Sequence, residues 1–166
     1  MTGPAREVSI GDLAMLACIL EARAPKAGNV QPGKEFEGTT LRHFLDAAGA
    51  ISGPLDRARE NSLGDTILEA VKESRKVTDQ NVNLGIILLL APLASVPAGS
   101  APRDGLRAVL EKLDSEDCRK VYEAIRLASP GGLGNVEEGD VNSPPPPSLI
   151  AAMELAAERD LVARQY

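Results

Sequence analysis

The residues best suited to chemistry sit in two irregular stretches and at the entry to one apolar segment. The first stretch reads Ala24-Pro-Lys-Ala-Gly-Asn-Val-Gln-Pro-Gly-Lys-Glu-Phe-Glu-Gly38 and carries Lys26, Lys34, Glu35 and Glu37, with Arg42 and His43 just beyond it. Lysines on a glycine-containing loop beside a helix N-terminus can hold phosphate groups. The spacing is not that of a P-loop: Gly-x-x-x-x-Gly-Lys-Ser/Thr and its preceding strand are both missing. The second stretch, Ser129-Pro-Gly-Gly-Leu-Gly-Asn-Val-Glu-Glu-Gly-Asp140, ends in the acids Glu137, Glu138 and Asp140. Such hard oxygen donors suit a magnesium ion bridged to nucleotide phosphates, or else form a solvated charge run. His43, the single histidine, fits a surface or capping role better than acid–base work.

The two stretches echo each other. Gly28-Asn29-Val30-Gln31-Pro32-Gly33 and Gly134-Asn135-Val136-Glu137-Glu138-Gly139 share Gly-Asn-Val-x-x-Gly. Asn tolerates left-handed backbone and Gly lets a ligand approach closely, so the pair either lines one site or makes two structural turns. Asp79, Asn81 and Asn83 superficially resemble a calcium loop. The glycine falls at Gly85 and the twelfth position is Leu90, which rules out an EF-hand. Asn81 and Asn83 are better placed to cap the next helix or to offer amides to a ligand at its N-terminus. Glu158, Arg159, Asp160 and Arg164 cluster near the end of the chain, as ordinary helical ion pairs or as part of a site.

Helices must position these groups. Apolar residues at helical spacing predict helices from Ser9 to about Arg23, from Thr39 or Thr40 to Gly53-Pro54, and from Ser62 to about Lys76. The apolar run from Leu84 to Ala94 reads as a helix buried on all sides. Pro102 opens a helix to Leu113, Ser115 caps one to about Ala128, and Ser148 starts a last one that runs into Tyr166. The expectation is an all-α single helical domain, residues 9–166, of about seven helices with two long Gly/Asn/Pro-rich loops. Residues 1–8 read as a loose tail.

Composition narrows the classes. A chain of 166 residues can bury a full core, and with two Phe, two Tyr and no Trp that core is aliphatic. A net charge of -6 without a basic block argues against nucleic acid as a partner. Cys18 and Cys118 read as buried free thiols in a reducing compartment. No secretory signal is visible, and the longest apolar run is shorter than the ~20 residues a bilayer span needs, so a cytoplasmic protein with no membrane partner is expected.

Ala24-Pro25-Lys26-Ala27-Gly28-Asn29-Val30, then Phe44-Leu45-x-Ala47-Ala48, then Thr78-x-x-Asn81-Val82-Asn83-Leu84-Gly85 occur in this order. In that order the chain resembles the triphosphoribosyl-dephospho-CoA synthase family over nearly its whole length. It departs from the family where a Gly-Ala-His-x-Asp-Met-Asp stretch is replaced by Gly33-Lys34-Glu35-Phe36-Glu37-Gly38. It departs again where Asn-Thr-His-Lys-Gly becomes Asn81-Val82-Asn83-Leu84-Gly85. The resemblance implies a divergent member that lacks the family's C-terminal part, leaving the last helix uncovered and able to self-associate into a homo-oligomer. It implies a transferase that uses ATP as substrate, with Mg2+, and moves its triphosphoribosyl group to a CoA-like acceptor, dephospho-CoA, with release of adenine. Breaking an N-glycosidic bond builds positive charge at the anomeric carbon and needs carboxylates nearby, a base for the acceptor hydroxyl, and cations on the phosphates. On that footing the expected catalytic residues are Glu35, Glu37 and Asp160. Lys26, Gly28, Asn29, Lys34, Asn81, Asn83 and Arg159 are expected to bind the nucleotide, and Glu137, Glu138 and Asp140 the metal. The alternatives are a related phosphoribosyl transfer to another acceptor, or a non-catalytic helical nucleotide-binding or assembly domain.

Overall fold

A computed structural model describes residues 7–25, 30, 35, 38–129, 136 and 138–166. Among them the chain is all-α, as expected: eight α-helices, one closing 3-10 turn and no strand. The helices are α1 (Ile10–Arg23), α2 (Leu41–Ala50), α3 (Ser52–Asp56), α4 (Leu63–Val77), α5 (Leu84–Ala94), α6 (Pro102–Leu110), α7 (Ser115–Ala128) and α8 (Leu149–Ala156), with the 3-10 turn at Ala163–Gln165. No described helix is long and apolar enough to cross a membrane.

The N-termini follow their capping chemistry. The Ser9 hydroxyl accepts from the Asp12 N–H while Asp12 accepts from the Ser9 N–H, and Ser62 and Ser148 accept from Asp65 and Ala151. Thr40 is the cap of α2, and its N–H donates to His43 Nδ1 at 3.1 Å. The lone histidine is thus in a capping position. At α7 the cap is Asp114, one residue before Ser115; its carboxylate accepts from the Glu116 and Asp117 N–H groups and satisfies two orphan donors at once.

Other elements also differ from the sequence reading. Helix α6 ends at Leu110 rather than Leu113. Gly53-Pro54 does not end a helix but lies inside the extra helix α3, where Pro54 occupies the first turn and no donor is required of it. The apolar helix α5 buries Ile87, Leu88, Ala91, Pro92 and Ala94 yet leaves Leu93 about half exposed, so it is not enclosed on every side. The last helix stops at Ala156 rather than running to Tyr166. Arg159 Nη1 donates to the Leu155 carbonyl, and Asp160 Oδ1 accepts from the Val162 and Ala163 N–H groups. A short carboxylate that binds its own downstream backbone diverts the chain from α-helix into a turn.

The core is aliphatic and small-residue rich, with Ala48, Ile51, Leu55, Ile67, Val71, Ile87, Val121 and Leu149 essentially inaccessible. Helix α4 is its axis, packed on α7 along most of its length and on α2 and α5. The α4–α7 crossing is closed at Gly64, where an added Cβ would lie 2.7 Å from Asp117 Cα. The Gly64 N–H donates to buried Asp117 Oδ1 at 2.7 Å, so the carboxylate seals the first turn of α4 while capping its own helix. Burial pushes the Cys18 thiol up to about 11 and raises that of Cys118. Both stay protonated and unreactive in the core, as expected of free buried thiols.

Candidate functional site

Beside the entry and first turns of α5 the packing opens into a cavity of about 440 Å³. Four pieces of chain wall it: the entry and first turns of α5, the inner face of α7, the segment ending at Val141, and α8 with the turn that follows. Apolar side chains of Leu84, Leu88, Ile125, Met153 and Val162 form much of the lining. Asn81, Tyr122, Asp140, Arg159 and Asp160 supply the polar groups. A largely apolar hollow with a few converging polar groups is the usual form of a small-ligand site.

Each polar group has a structural reason for its place. Tyr122 lies on the buried stripe of α7 with Cys118, Val121 and Ile125. Its hydroxyl donates to the Gly139 carbonyl at 3.3 Å. Burial raises the phenol above its usual range, with Cys118 and Asp140 adding to the rise and Arg159 opposing it, so it remains a donor. Gly139 sits at φ +71°, a left-handed conformation in which a side chain is strained. Asp140 Oδ1 accepts from the Asn142 N–H at 2.8 Å and Oδ2 from the Val136 N–H at 3.2 Å, which closes the turn. Those backbone donors hold its carboxyl below the ordinary carboxylate range, Asn142 foremost. The Arg159 guanidinium reaches from the turn after α8 to the Leu155 and Glu138 carbonyls, at 2.8 and 3.4 Å. It is the cationic side chain among the described residues of the wall.

The first turn of α5 faces the same space through Leu84 and Gly85. Asn83 takes the N-cap position without a side-chain cap bond, and the first helical hydrogen bond is Ile87 N–H to the Asn83 carbonyl. Amide donors at such an N-terminus favour an anion. The exposed Asn81 side chain lines the cavity and makes no hydrogen bond among the described residues.

The structure therefore brings together Asn81, Asp140, Arg159 and Asp160 from the sequence reading, with the Glu138 carbonyl against Arg159. Asn83 does not reach the wall. It is buried, with its amide oxygen toward the Ala48 N–H at 3.3 Å and its nitrogen toward the Val82 carbonyl at 3.0 Å. Glu35 is exposed and is not among the lining residues, and the Glu138 side chain is exposed. Lys26, Gly28, Asn29, Lys34, Glu37 and Glu137 lie outside the described residues. The end of the first loop does approach the site: Thr39 Oγ1 donates to Gln80 Oε1 at 3.1 Å, beside Asn81. Among the described residues no three potential metal ligands cluster. Asp140 and Asp160 line one cavity, and one or two carboxylates are what a magnesium ion held mainly by phosphate oxygens requires. Sequence reasoning missed Tyr122. The available signal was a hydroxyl on an otherwise apolar helical stripe, which must find a partner when buried.

A model of the ATP:dephospho-CoA triphosphoribosyl transferase family, CitG, matches residues 7–166. The chain belongs to this family. The match takes in both irregular stretches, every described helix and the whole cavity wall. The resemblance read from Ala24 to Gly85 is borne out, and so is the function it implied: ATP-dependent transfer of a triphosphoribosyl group to dephospho-CoA. ATP and dephospho-CoA are the small-molecule substrates that the family's description names. No curated protein and no solved structure matches the chain.

Proposed function

We propose that the cavity between α5, α7, α8 and the Gly139 turn is where the triphosphoribosyl transfer takes place, with ATP bound as its magnesium complex. The supporting observation is the meeting of Arg159, Asp140, Asp160 and the α5 N-terminus around one apolar hollow. Arg159 and the free amides of α5 suit the triphosphate, with Lys26 and Lys34 of the first loop joining them. Asn81 in the wall offers an amide to the same nucleotide. Gly28 and Asn29 allow the loop backbone to approach it, and Asn83 holds the helix entry in place.

In the reaction the bond between the ribose anomeric carbon and adenine nitrogen breaks, and a bond forms from that carbon to a hydroxyl of dephospho-CoA. Adenine leaves with the electron pair and is protonated; the acceptor hydroxyl gives up its proton to a carboxylate. Asp160 is the described candidate for stabilising the positive charge on the sugar, since among the described residues its Oδ2 takes no backbone donor. Glu35 and Glu37 are the candidates for accepting the hydroxyl proton. When bound, magnesium would neutralise phosphate charge, with Asp140, Glu138 and Glu137 as its protein donors.

The compartment that supplies ATP and dephospho-CoA, the cytoplasm, fits two protonated buried thiols. Self-association belongs to the same reading: Leu13, Leu16 and Leu20 stand exposed along one face of α1. Sedimentation checks it, and a single monomeric species at all concentrations removes it. The central test is incubation with ATP, magnesium and dephospho-CoA while free adenine is followed. Adenine release that depends on acceptor and falls in Arg159→Ala supports the site. No adenine with any acceptor, together with no thermal shift from ATP, overturns it.

A further inference from the structure

The chain beyond α8 forms one wall of the cavity, and the way it is held to α5 is unusual. Pro92 lies inside α5 and has no N–H, so the Leu88 carbonyl four residues earlier loses its helical donor. The Tyr166 hydroxyl donates to that carbonyl at 2.7 Å. Leu88 itself lines the cavity, as do Val162 and Ala163 on the strap that Tyr166 ends. The strap lies directly on the first turn of α5, where a Cβ built on Gly85 would be 3.4 Å from Val162 Cγ2. Its other end is fixed by Asp160, whose carboxylate accepts from the Val162 and Ala163 N–H groups. Burial raises the Tyr166 phenol above its usual range, so the donor proton stays in place.

We propose that Tyr166 is a positioning residue for nucleotide binding: through the carbonyl that Pro92 leaves without a partner, it latches residues 160–166 against α5 and so holds Asp160 and Val162 in the cavity wall. This rests on the reading of the cavity as the ATP site. The hydroxyl touches no substrate; it acts by fixing the strap. A carbonyl stripped of its helical partner costs free energy when it stays buried and unpaired, which makes this position receptive to an outside donor.

The test uses the full chain. Tyr166→Phe keeps the ring and removes only the donor. It is expected to raise the ATP Kd about tenfold, the effect of unpairing one buried acceptor, and to speed hydrogen exchange at Val162 and Ala163. Pro92→Ala restores an N–H opposite the Leu88 carbonyl. In that background Tyr166→Phe is expected to change ATP affinity less than about twofold, because the carbonyl now has a helical donor. An equal loss in both backgrounds overturns the role of the Leu88 carbonyl, and with it the latch. Unchanged exchange and affinity in Tyr166→Phe overturns the latch. Faster exchange with unchanged affinity overturns its role in binding and leaves the ATP site standing. No ATP binding by the unaltered protein overturns the site, and the latch's role with it.

Discussion

The α4–α7 crossing and the cavity wall use the same bond types to opposite ends. At the crossing a buried carboxylate, Asp117, accepts from Gly64 N–H where two helix backbones meet without room for a single added carbon. In and behind the wall, Tyr122 and Arg159 of the lining, and Arg126 and Tyr166 outside it, each donate to a backbone carbonyl belonging to another piece of chain. The first arrangement excludes space. The second holds separate segments apart at fixed positions and so preserves space. One half of the molecule is built for stability and the other for shape, and the two should separate under mutation.

The largest effect is expected at the crossing. Gly64→Ala places a methyl against Asp117 backbone that cannot move without displacing α7. Overpacking of this kind costs about 3 kcal/mol, which for a chain of this size lowers Tm by about 10 °C. Calorimetry measures it, and adenine release per folded molecule at low temperature should match the unaltered protein. Equal losses of stability and specific activity would show that the two halves are not separable.

Arg159→Ala should do the converse. Its guanidinium is exposed and its two carbonyl contacts contribute on the order of 1 kcal/mol. Tm is expected to fall by only about 3 °C. As the described cation of the wall it should carry transition-state charge on the phosphates, so kcat/KM for ATP should drop about 100-fold. A drop of less than threefold would remove Arg159 from the phosphate site.

Gly139→Ala lies between these. At φ +71° an alanine costs about 1–2 kcal/mol, and the strain falls on the turn that receives the Tyr122 hydroxyl and contains Asp140. A several-fold rise in KM for ATP with kcat nearly unchanged is expected from steady-state rates. A fall in kcat alone would mean that the turn acts on chemistry rather than on binding.

The same contrast explains what could be read from the sequence. Helices whose starts are written in local chemistry were legible: Ser9 with Asp12, Ser62 with Asp65, and Ser148 all cap as their spacing suggests. Asn81, Asp140, Arg159 and Asp160 were legible as candidates because polar residues at turns and helix ends stand out against an aliphatic background. Their convergence was not, since it depends on α7 and α8 packing beside α5, a long-range arrangement no local pattern encodes. The end of α8 was misread because helical spacing continues through Ala163 in the sequence. Asp160 decides the matter by binding backbone two and three residues ahead, a competition that periodicity does not register. Tyr122 and Tyr166 were overlooked for a related reason. Their rings count as apolar in any pattern, while their hydroxyls matter only once the acceptors at Gly139 and Leu88 are in place.

The smallest effect is the most local, and it concerns Asp140. Its carboxyl is held below the ordinary range because the Asn142 and Val136 N–H groups bind the ionised form. A depressed folded value means that the unfolded turn takes up a proton first as pH falls. The contribution of Asp140 is therefore complete above the ordinary carboxylate range, near pH 4, and is lost as the pH drops from there through the folded value. Between pH 6 and 9 it should not change. Amide proton shifts of Asn142 and Val136 should move together in acid, and the same shifts in Asp140→Asn should stay flat. If both shifts titrated near neutrality instead, a different group would control the turn. The cavity wall would then be pH-sensitive under working conditions, unlike the crossing it is compared with.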